Sequence, residues 1–267
     1  MSTPPDPCAT CGLCCRVYVV PLVGRDVWRI STRQRLAPEE FVVVYPNPPG
    51  AIDGFRLAPD GPLYAMALAK KGRYARHRAC VFLLELGGGY SRCGIYADRP
   101  DACRVYPMVS WKGMAVQRTD AACPPGAWTS AALRDPSWRD RLQRMDMDMD
   151  IYNEVVARWN ARVARLPAGT GLPLAEFFSY LLNVYDGLAA LERTLDEETL
   201  ARVVASWSTL PTAADLAAAE HEPDRFPWLR YLQRARAVIN RFYPEVPIQR
   251  PFALVREEML ARHRPRP

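Results

Sequence analysis

The sequence predicts a mainly α protein: an irregular cysteine-rich metal-binding module with a few short strands, followed by a helical C-terminal region. Three observations carry this reading. All eight cysteines lie before residue 124. The same half is rich in Gly and Pro and holds only short β-prone runs. Beyond residue 130, apolar residues recur at spacings of three and four, the period of an amphipathic helix. The expected division is therefore 1–130 as the cysteine module and 131–267 as a helical region packed on it.

The short runs expected as strands are Val17–Val20, Phe41–Tyr45 and Met114–Gln117. Gly87-Gly88-Gly89 reads as a loop, since the lysine and hydroxyl residues of a phosphate-cradling loop do not follow it. In the second half, Pro136–Leu166 carries Trp138, Leu142, Met145, Met149, Tyr152, Val156 and Trp159 at helical spacing. Pro173 suits a helix start, and Leu174–Leu195 has a broad apolar face. Asp196 is placed to cap a helix running to about Trp207, and Phe226–Phe242 and Phe252–Arg262 read as two more. The Met145-Asp146-Met147-Asp148-Met149-Asp150 run lacks the Gly and Glu that a calcium loop needs at its sixth and twelfth places, which hold Ile151 and Ala157. It reads as surface aspartates alternating with core methionines.

With 267 residues, 49% hydrophobic and 24% charged, the chain can build ordinary cores without covalent staples. Fraying is expected only in Ser2–Pro7 and Arg262–Pro267. The first residues have neither a basic nor an apolar secretory stretch. The longest apolar candidate, Phe177–Leu191, is broken by Asn183 and Asp186, short of a membrane span. The expectation is a cytoplasmic protein with no membrane partner.

The net charge of +6 is unevenly placed: 16 basic and 10 acidic residues precede residue 131, so the surplus lies in the cysteine half. Lys70, Lys71, Arg73, Arg76 and Arg78 supply much of it, just before Cys80. That run is either a face for an acidic partner or a set of cations offsetting nearby thiolates. A nucleic-acid partner is not expected, because no nucleic-acid motif accompanies the charge.

The cysteines are Cys8, Cys11, Cys14, Cys15, Cys80, Cys93, Cys103 and Cys123. Buried unliganded thiols do not explain a Cys8-x2-Cys11-x2-Cys14-Cys15 run set among Gly, Thr and Pro. Disulfides are disfavoured in a reducing compartment. Metal ligation fits the spacing, because two intervening residues let the backbone turn so that both sulfurs meet one centre. The run resembles the ligand spacing of bacterial ferredoxins, with Cys123-Pro124 as the distant closing pair. Histidines are few (His77, His221 and His263), so the centre is mostly sulfur-ligated, holding zinc or an iron–sulfur cluster. Adjacent side chains diverge, so Cys14 and Cys15 do not easily share one tetrahedral ion. Either one is spare, or two centres or a polynuclear cluster share the group, which tilts the choice toward a [4Fe-4S] centre. A radical S-adenosylmethionine site is set aside because Cys8-x2-Cys11-x3-Cys15 reverses its usual order, and the haem signature C-x-x-C-H is absent.

Cys8-x2-Cys11-x2-Cys14-Cys15, Cys80-Val81-Phe82-Leu83, Cys93-Gly94-Ile95-Tyr96-x2-Arg99-Pro100-x2-Cys103-Arg104-x-Tyr106-Pro107 and Cys123-Pro124-Pro125-Gly126 together resemble the zinc- or iron-chelating cysteine-cluster family, CxxCxxCC. The resemblance spans about residues 8–126 and implies a bacterial-type metal-binding protein, with all eight cysteines as candidate ligands. A branch of that group is similar to flagellin lysine N-methylase. It implies the alternative of an iron–sulfur enzyme that modifies a protein side chain using S-adenosylmethionine. The chain has no glycine-rich methyl-donor fingerprint after a strand and no evident Ser/His/Asp set, so the sequence leaves catalysis open. Arg99 and Arg104 are candidates to donate to ligand sulfur, Arg99 alternatively pairing locally with Asp98 or Asp101; Tyr96 and Tyr106 are candidates to shield the centre or to pack half-buried.

Overall fold

The structure, a computed structural model, describes residues 8–48, 54–72, 78–88, 90–111, 114–207 and 226–246. Helix dominates, with a few short strands. The chain divides into two units: residues 1–44 with 66–145, and residues 45–65 with 146–267. Among the described residues no helix is long and apolar enough to cross a membrane.

The first unit begins with two short helices, α1 (Cys8–Cys11) and α2 (Leu13–Val17), broken by Gly12 in the left-handed region at φ +65°. The expected Val17–Val20 strand is absent. Val17 ends α2, and only β1 (Pro21–Leu22) pairs onward. A helix with no counterpart in the sequence reading follows, α3 (Gly24–Gln34). Its apolar stripe is only Val27 and Ile30, both fully buried. Its start is fixed by the Asp26 carboxylate, which accepts from the Val23 N–H at 3.2 Å. Pro at the first position of α4 (Pro38–Phe41), with Glu40 accepting from the Ala37 N–H at 2.7 Å, defines the next turn.

Strand β2 (Val42–Pro46) occupies the expected Phe41–Tyr45 run, and with β3 (Tyr64–Leu68) it forms a sheet of order β1-β3-β2. In this sheet Pro21 faces Ala67 and Leu22 faces Met66, antiparallel. The hairpin β4 (Leu83–Glu85) and β5 (Ser91–Cys93) sets Leu83 opposite Cys93. Gly87 and Gly88 make its turn at φ +80° and +57°, which confirms the loop expected there. A 3₁₀ turn (Tyr96–Asp98) leads into α5 (Asp101–Val105). A second hairpin follows, β6 (Met108–Trp111) with β7 (Met114–Gln117), the latter as expected. Thr129 caps α6 (Ser130–Leu133) by accepting from the Ala132 N–H at 3.1 Å. The opening turns of α7 (Ser137–Val163) then close a small core of Val105, Met108, Trp138 and Leu142. There Trp128 meets Trp138 edge-on at 5.6 Å.

The second unit holds the rest of α7 with α8 (Leu174–Glu192), α9 (Glu197–Ser206) and α10 (Pro227–Ile239), close to the expected spans. The expected Phe252–Arg262 helix lies outside the described residues. Asp196 caps α9 as anticipated, accepting from the Thr199 N–H at 2.6 Å. The core is aromatic: Phe55 stacks on Phe177 at 3.8 Å, and Trp159 meets Phe177 and Tyr180 at 5.3 Å each. Polar atoms among these rings find backbone partners. The Trp159 indole donates to the Arg56 carbonyl at 2.6 Å, and the Tyr180 hydroxyl donates to the Val155 carbonyl at 2.9 Å.

The Met-Asp run corrects the sequence reading. Asp148 and Asp150 are buried with Met147, while Met149 is exposed. An alternation of period two cannot hold one residue type on one face of a helix of 3.6 residues per turn. Asp150 tolerates burial because it accepts from the Trp207 indole at 2.9 Å.

Candidate metal centre

All eight cysteines belong to the first unit. Cys8 and Cys11 lie three apart on α1, on one helix face. Gly12 lets the chain turn into α2, which carries Cys14 and Cys15. This turn is seated on the first hairpin: a Cβ at Gly12 would stand 2.8 Å from both Leu83 Cδ1 and Ser91 Cβ. Arg16 ties the same place, donating to Glu85 at 2.5 Å and to the Ser91 hydroxyl at 2.8 Å.

The Cys80 N–H donates to the Cys15 carbonyl at 2.9 Å, and Leu83 N–H donates to the Cys80 carbonyl at 3.0 Å. The hairpin register then brings Cys93 to the same end, opposite Leu83. Cys103 is on α5, and Cys123 follows β7. Structure thus gathers in one unit residues separated by up to 115 positions in the chain. All eight are free cysteines, Cys80 buried and the others partly buried.

The thiols act on one another. Cys14 and Cys15 share a hydrogen bond that pushes Cys14 far up and brings Cys15 down to about 7, where the charges of Lys70 and Arg16 also favour the thiolate. Burial pushes Cys80 up to about 11, and the negative charges of Cys15 and Cys93 add to the rise. Burial likewise raises Cys93 and, more strongly, Cys103, with Cys15 acting on both and Cys80 and Cys93 also acting on Cys103. Cys8 acts on Cys14. Partly buried sulfurs that oppose one another's ionisation form a donor set in want of positive charge.

A small cavity of about 20 Å³ is lined by Cys8, Cys11, Cys14 and Cys123, together with Tyr106 and Trp128. Its size is near that of one water-sized sphere. Among the described residues no three Cys, His, Asp or Glu side chains stand together as a closed metal site. The metal-binding character of the module therefore rests on donor chemistry and neighbourhood. By that measure zinc or iron fits: the donors are soft thiols, and a cation supplies the charge they lack.

The residues around the thiols depart from expectation in an instructive way. Arg104 donates to the Arg99 carbonyl at 2.9 Å and to the Ala97 carbonyl, so it braces the loop before Cys103. Arg99 lies over the Tyr96 ring at 4.2 Å, and its charge favours the Cys93 thiolate. Asp98 pairs with Arg33 at 3.2 Å and accepts from Gln34 at 2.7 Å. Tyr106 hydroxyl accepts from the Ala122 N–H at 2.5 Å and also bonds Tyr18 and Cys123. Burial first, and then the bonds to Tyr18 and Cys123, push its ionisation up. Lys70 and Lys71 do not form a free cationic face. Lys70 donates to the carbonyls of Cys15, at 3.0 Å, and Tyr18, and Lys71 donates to that of Leu83. Lys70 charge also favours the Cys15 and Cys80 thiolates, the offsetting role anticipated for the basic run. Arg73, Arg76 and His77 lie outside the described residues.

One cluster had no signal in the sequence. Asp26 and Asp101, both buried, share Arg29, which donates to Asp26 at 2.6 Å and to Asp101 at 3.0 Å. Asp26 also accepts from the Asp101 N–H at 2.9 Å, so α3 holds the start of the Cys103 helix. Burial, and then the charge of Asp101, raise Asp26 to about 7 despite Arg29. Only Asp26 at the third position of a helix could have been guessed, and α3 itself was not foreseen.

Comparison with curated proteins and with solved structures gave no match. Residues 7–124, the span that carries all eight cysteines, match the model of the CxxCxxCC family, described as "Putative zinc- or iron-chelating domain".

Proposed function

We propose that this chain is a metal-binding protein that holds zinc or iron on thiolates drawn from Cys8, Cys11, Cys14, Cys15, Cys80, Cys93, Cys103 and Cys123. The observation that carries the reading is the gathering of eight free cysteines into one unit. The family match over the same span supports it. Bound metal supplies the positive charge that lets these sulfurs ionise, and it closes loops of the chain that the short strands hold only weakly. The chain's own residues contribute the rest: Lys70 and Arg16 beside Cys15, Arg99 beside Cys93, and Tyr106 beside Cys123.

The cavity that Cys8, Cys11, Cys14 and Cys123 help to line is only about 20 Å³, and this small size favours zinc over a cluster. The test is metal content and the visible spectrum of protein purified without oxygen. Zinc without colour is the expected result. Iron with matching labile sulfide and broad visible absorption establishes an iron–sulfur centre instead, and S-adenosylmethionine binding by that form then tests the methyl-transfer alternative. Absence of bound metal, with no uptake of zinc or iron on reconstitution, overturns the proposal.

A further inference from the structure

We propose that the second unit carries a binding site for a small dianion, a phosphate monoester with an apolar body, in the cleft between α9 and α10. The site is independent of the metal-holding reading. It lies in the other unit and beyond residues 7–124, the span that the family model matches.

The cleft has a volume of about 530 Å³, inside the range of small-molecule pockets, roughly 300–1,000 Å³. Helical spacing builds it. Thr199, Arg202 and Val203 stand at i, i+3 and i+4 on α9, and Arg230, Tyr231 and Arg234 at i, i+1 and i+4 on α10, so each helix turns one face to the cleft. Val203 and Tyr231, both buried, offer apolar surface to the body of a ligand. Tyr231 is held in place: its ring meets Trp207 edge-on at 6.2 Å, and its hydroxyl donates to Glu192 at 2.9 Å. A wall fixed in this way adds little ordering cost to binding.

Among the described residues the lining holds three arginines and no carboxylate. Arg202 donates to the Thr199 hydroxyl at 3.2 Å and Arg234 to the Thr194 hydroxyl at 2.9 Å, partners that orient a guanidinium without neutralising it. The neighbouring acids have donors of their own. Asp196, whose charge Arg202 also meets, accepts from the N–H and hydroxyl of Thr199, and Glu192 accepts from Tyr231. Guanidinium forks match phosphate oxygens, and a phosphate monoester carries about −1.5 to −2 at neutral pH. Several arginines around one cleft suit that charge better than the single charge of a carboxylate.

The test is isothermal titration of the full chain with phenyl phosphate, inorganic phosphate and benzoate. Phenyl phosphate is expected to bind with a Kd below about 1 mM. It should bind at least about fivefold more tightly than inorganic phosphate, which lacks the ring, or benzoate, which carries one charge. Arg202→Gln and Arg234→Gln should each weaken it by about three- to tenfold. Arg241→Gln, which removes an exposed arginine of the same unit outside the cleft, should leave it unchanged. Raising salt from about 20 to about 300 mM should weaken binding, because the three arginines of the cleft are exposed and are screened. Absence of phenyl phosphate binding up to about 10 mM overturns the proposal. Equal affinity for either of the other anions, or an equal loss with Arg241→Gln, overturns it as well. For variants that fail to fold, the wild-type chain carries the test through phenylglyoxal modification read by peptide mass spectrometry. Phenyl phosphate is expected to protect Arg202, Arg230 and Arg234 but not Arg241, and even protection of all four refutes the site.

Discussion

Cys80 donates its backbone N–H to the carbonyl of Cys15 across 2.9 Å, joining two residues 65 positions apart at the point where both present thiols. The same carbonyl accepts from the Lys70 ammonium at 3.0 Å. One peptide group thus anchors the end of the N-terminal cysteine run to the segment carrying the fifth cysteine.

Lys70→Met is expected to destabilise the metal-free protein by about 1–3 kcal/mol, the usual cost of losing a charge-assisted hydrogen bond to partly buried acceptors. Urea unfolding monitored by circular dichroism measures this. An unchanged midpoint would show that water replaces the ammonium without loss.

Gly12 is held at φ +65°, and a Cβ there meets Leu83 and Ser91 at 2.8 Å. Gly126, at φ +75°, has nothing within 4 Å of the same position. Gly126→Ala should therefore cost only the backbone term of about 1 kcal/mol, and Gly12→Ala about 2–4 kcal/mol, because it adds displacement of the hairpin. Equal shifts in midpoint would mean that the hairpin yields freely to the added methyl.

Asp26 gives the pH dependence. Its folded pKa, about 7, lies above the ordinary 3.8. The folded state thus binds more protons than the unfolded state between those values. Its contribution is fully present below about pH 3.8 and is lost as pH rises through about 7. Stability of the metal-free chain should decline across this window, and Asp26→Asn should flatten the decline while costing some stability at its low-pH end through a weakened cap. Thermal midpoints at a series of pH values test it; parallel profiles for variant and wild type would refute it.

Metal removal should act on the first unit. A ligand present at about 100–1,000 times its dissociation constant adds about 3–4 kcal/mol to the state that binds it. Chelation, or Cys11→Ala, is therefore expected to increase amide hydrogen exchange in α1, α2 and the β4–β5 hairpin, with little change in α8 and α10. Uniform change in both units would count against a role confined to the cysteine module.

The second-half helices were legible because their periodicity and caps are local: Asp196 caps α9, and Leu174 begins α8, as the sequence indicates. The cysteine spacing was legible for the same reason. What sequence could not give is pairing over distance. α3 has only Val27 and Ile30 as a core stripe, too short a pattern to read, and it is held by Asp26, Arg29 and Asp101, partners up to 75 residues apart. The burial of Asp148 and Asp150 was missed because an acidic residue is assigned to the surface by default. For Asp150 the offsetting donor, the Trp207 indole, comes from a different helix. In the sequence Lys70 and Lys71 read as part of a basic run, yet their ammonium groups satisfy carbonyls of the cysteine segments.

The second unit offers a test in which two effects oppose. Gly187 is in the middle of α8, where Ala is favoured over Gly by about 1 kcal/mol from helix propensity. Its Cβ position, however, stands 2.7 Å from Val238 Cγ1 on α10. Val238 is buried and β-branched, so it cannot turn aside as a long side chain would. Overpacking of this kind costs about 1–3 kcal/mol, so Gly187→Ala should be net destabilising, by up to about 2 kcal/mol. Val238→Ala alone should also destabilise, through the space it leaves. Combined, the two should be less harmful than their sum, because the methyl added at one site enters the space opened at the other. A double-mutant cycle by chemical unfolding measures the coupling, and strict additivity would show that α8 and α10 separate rather than interlock at Gly187.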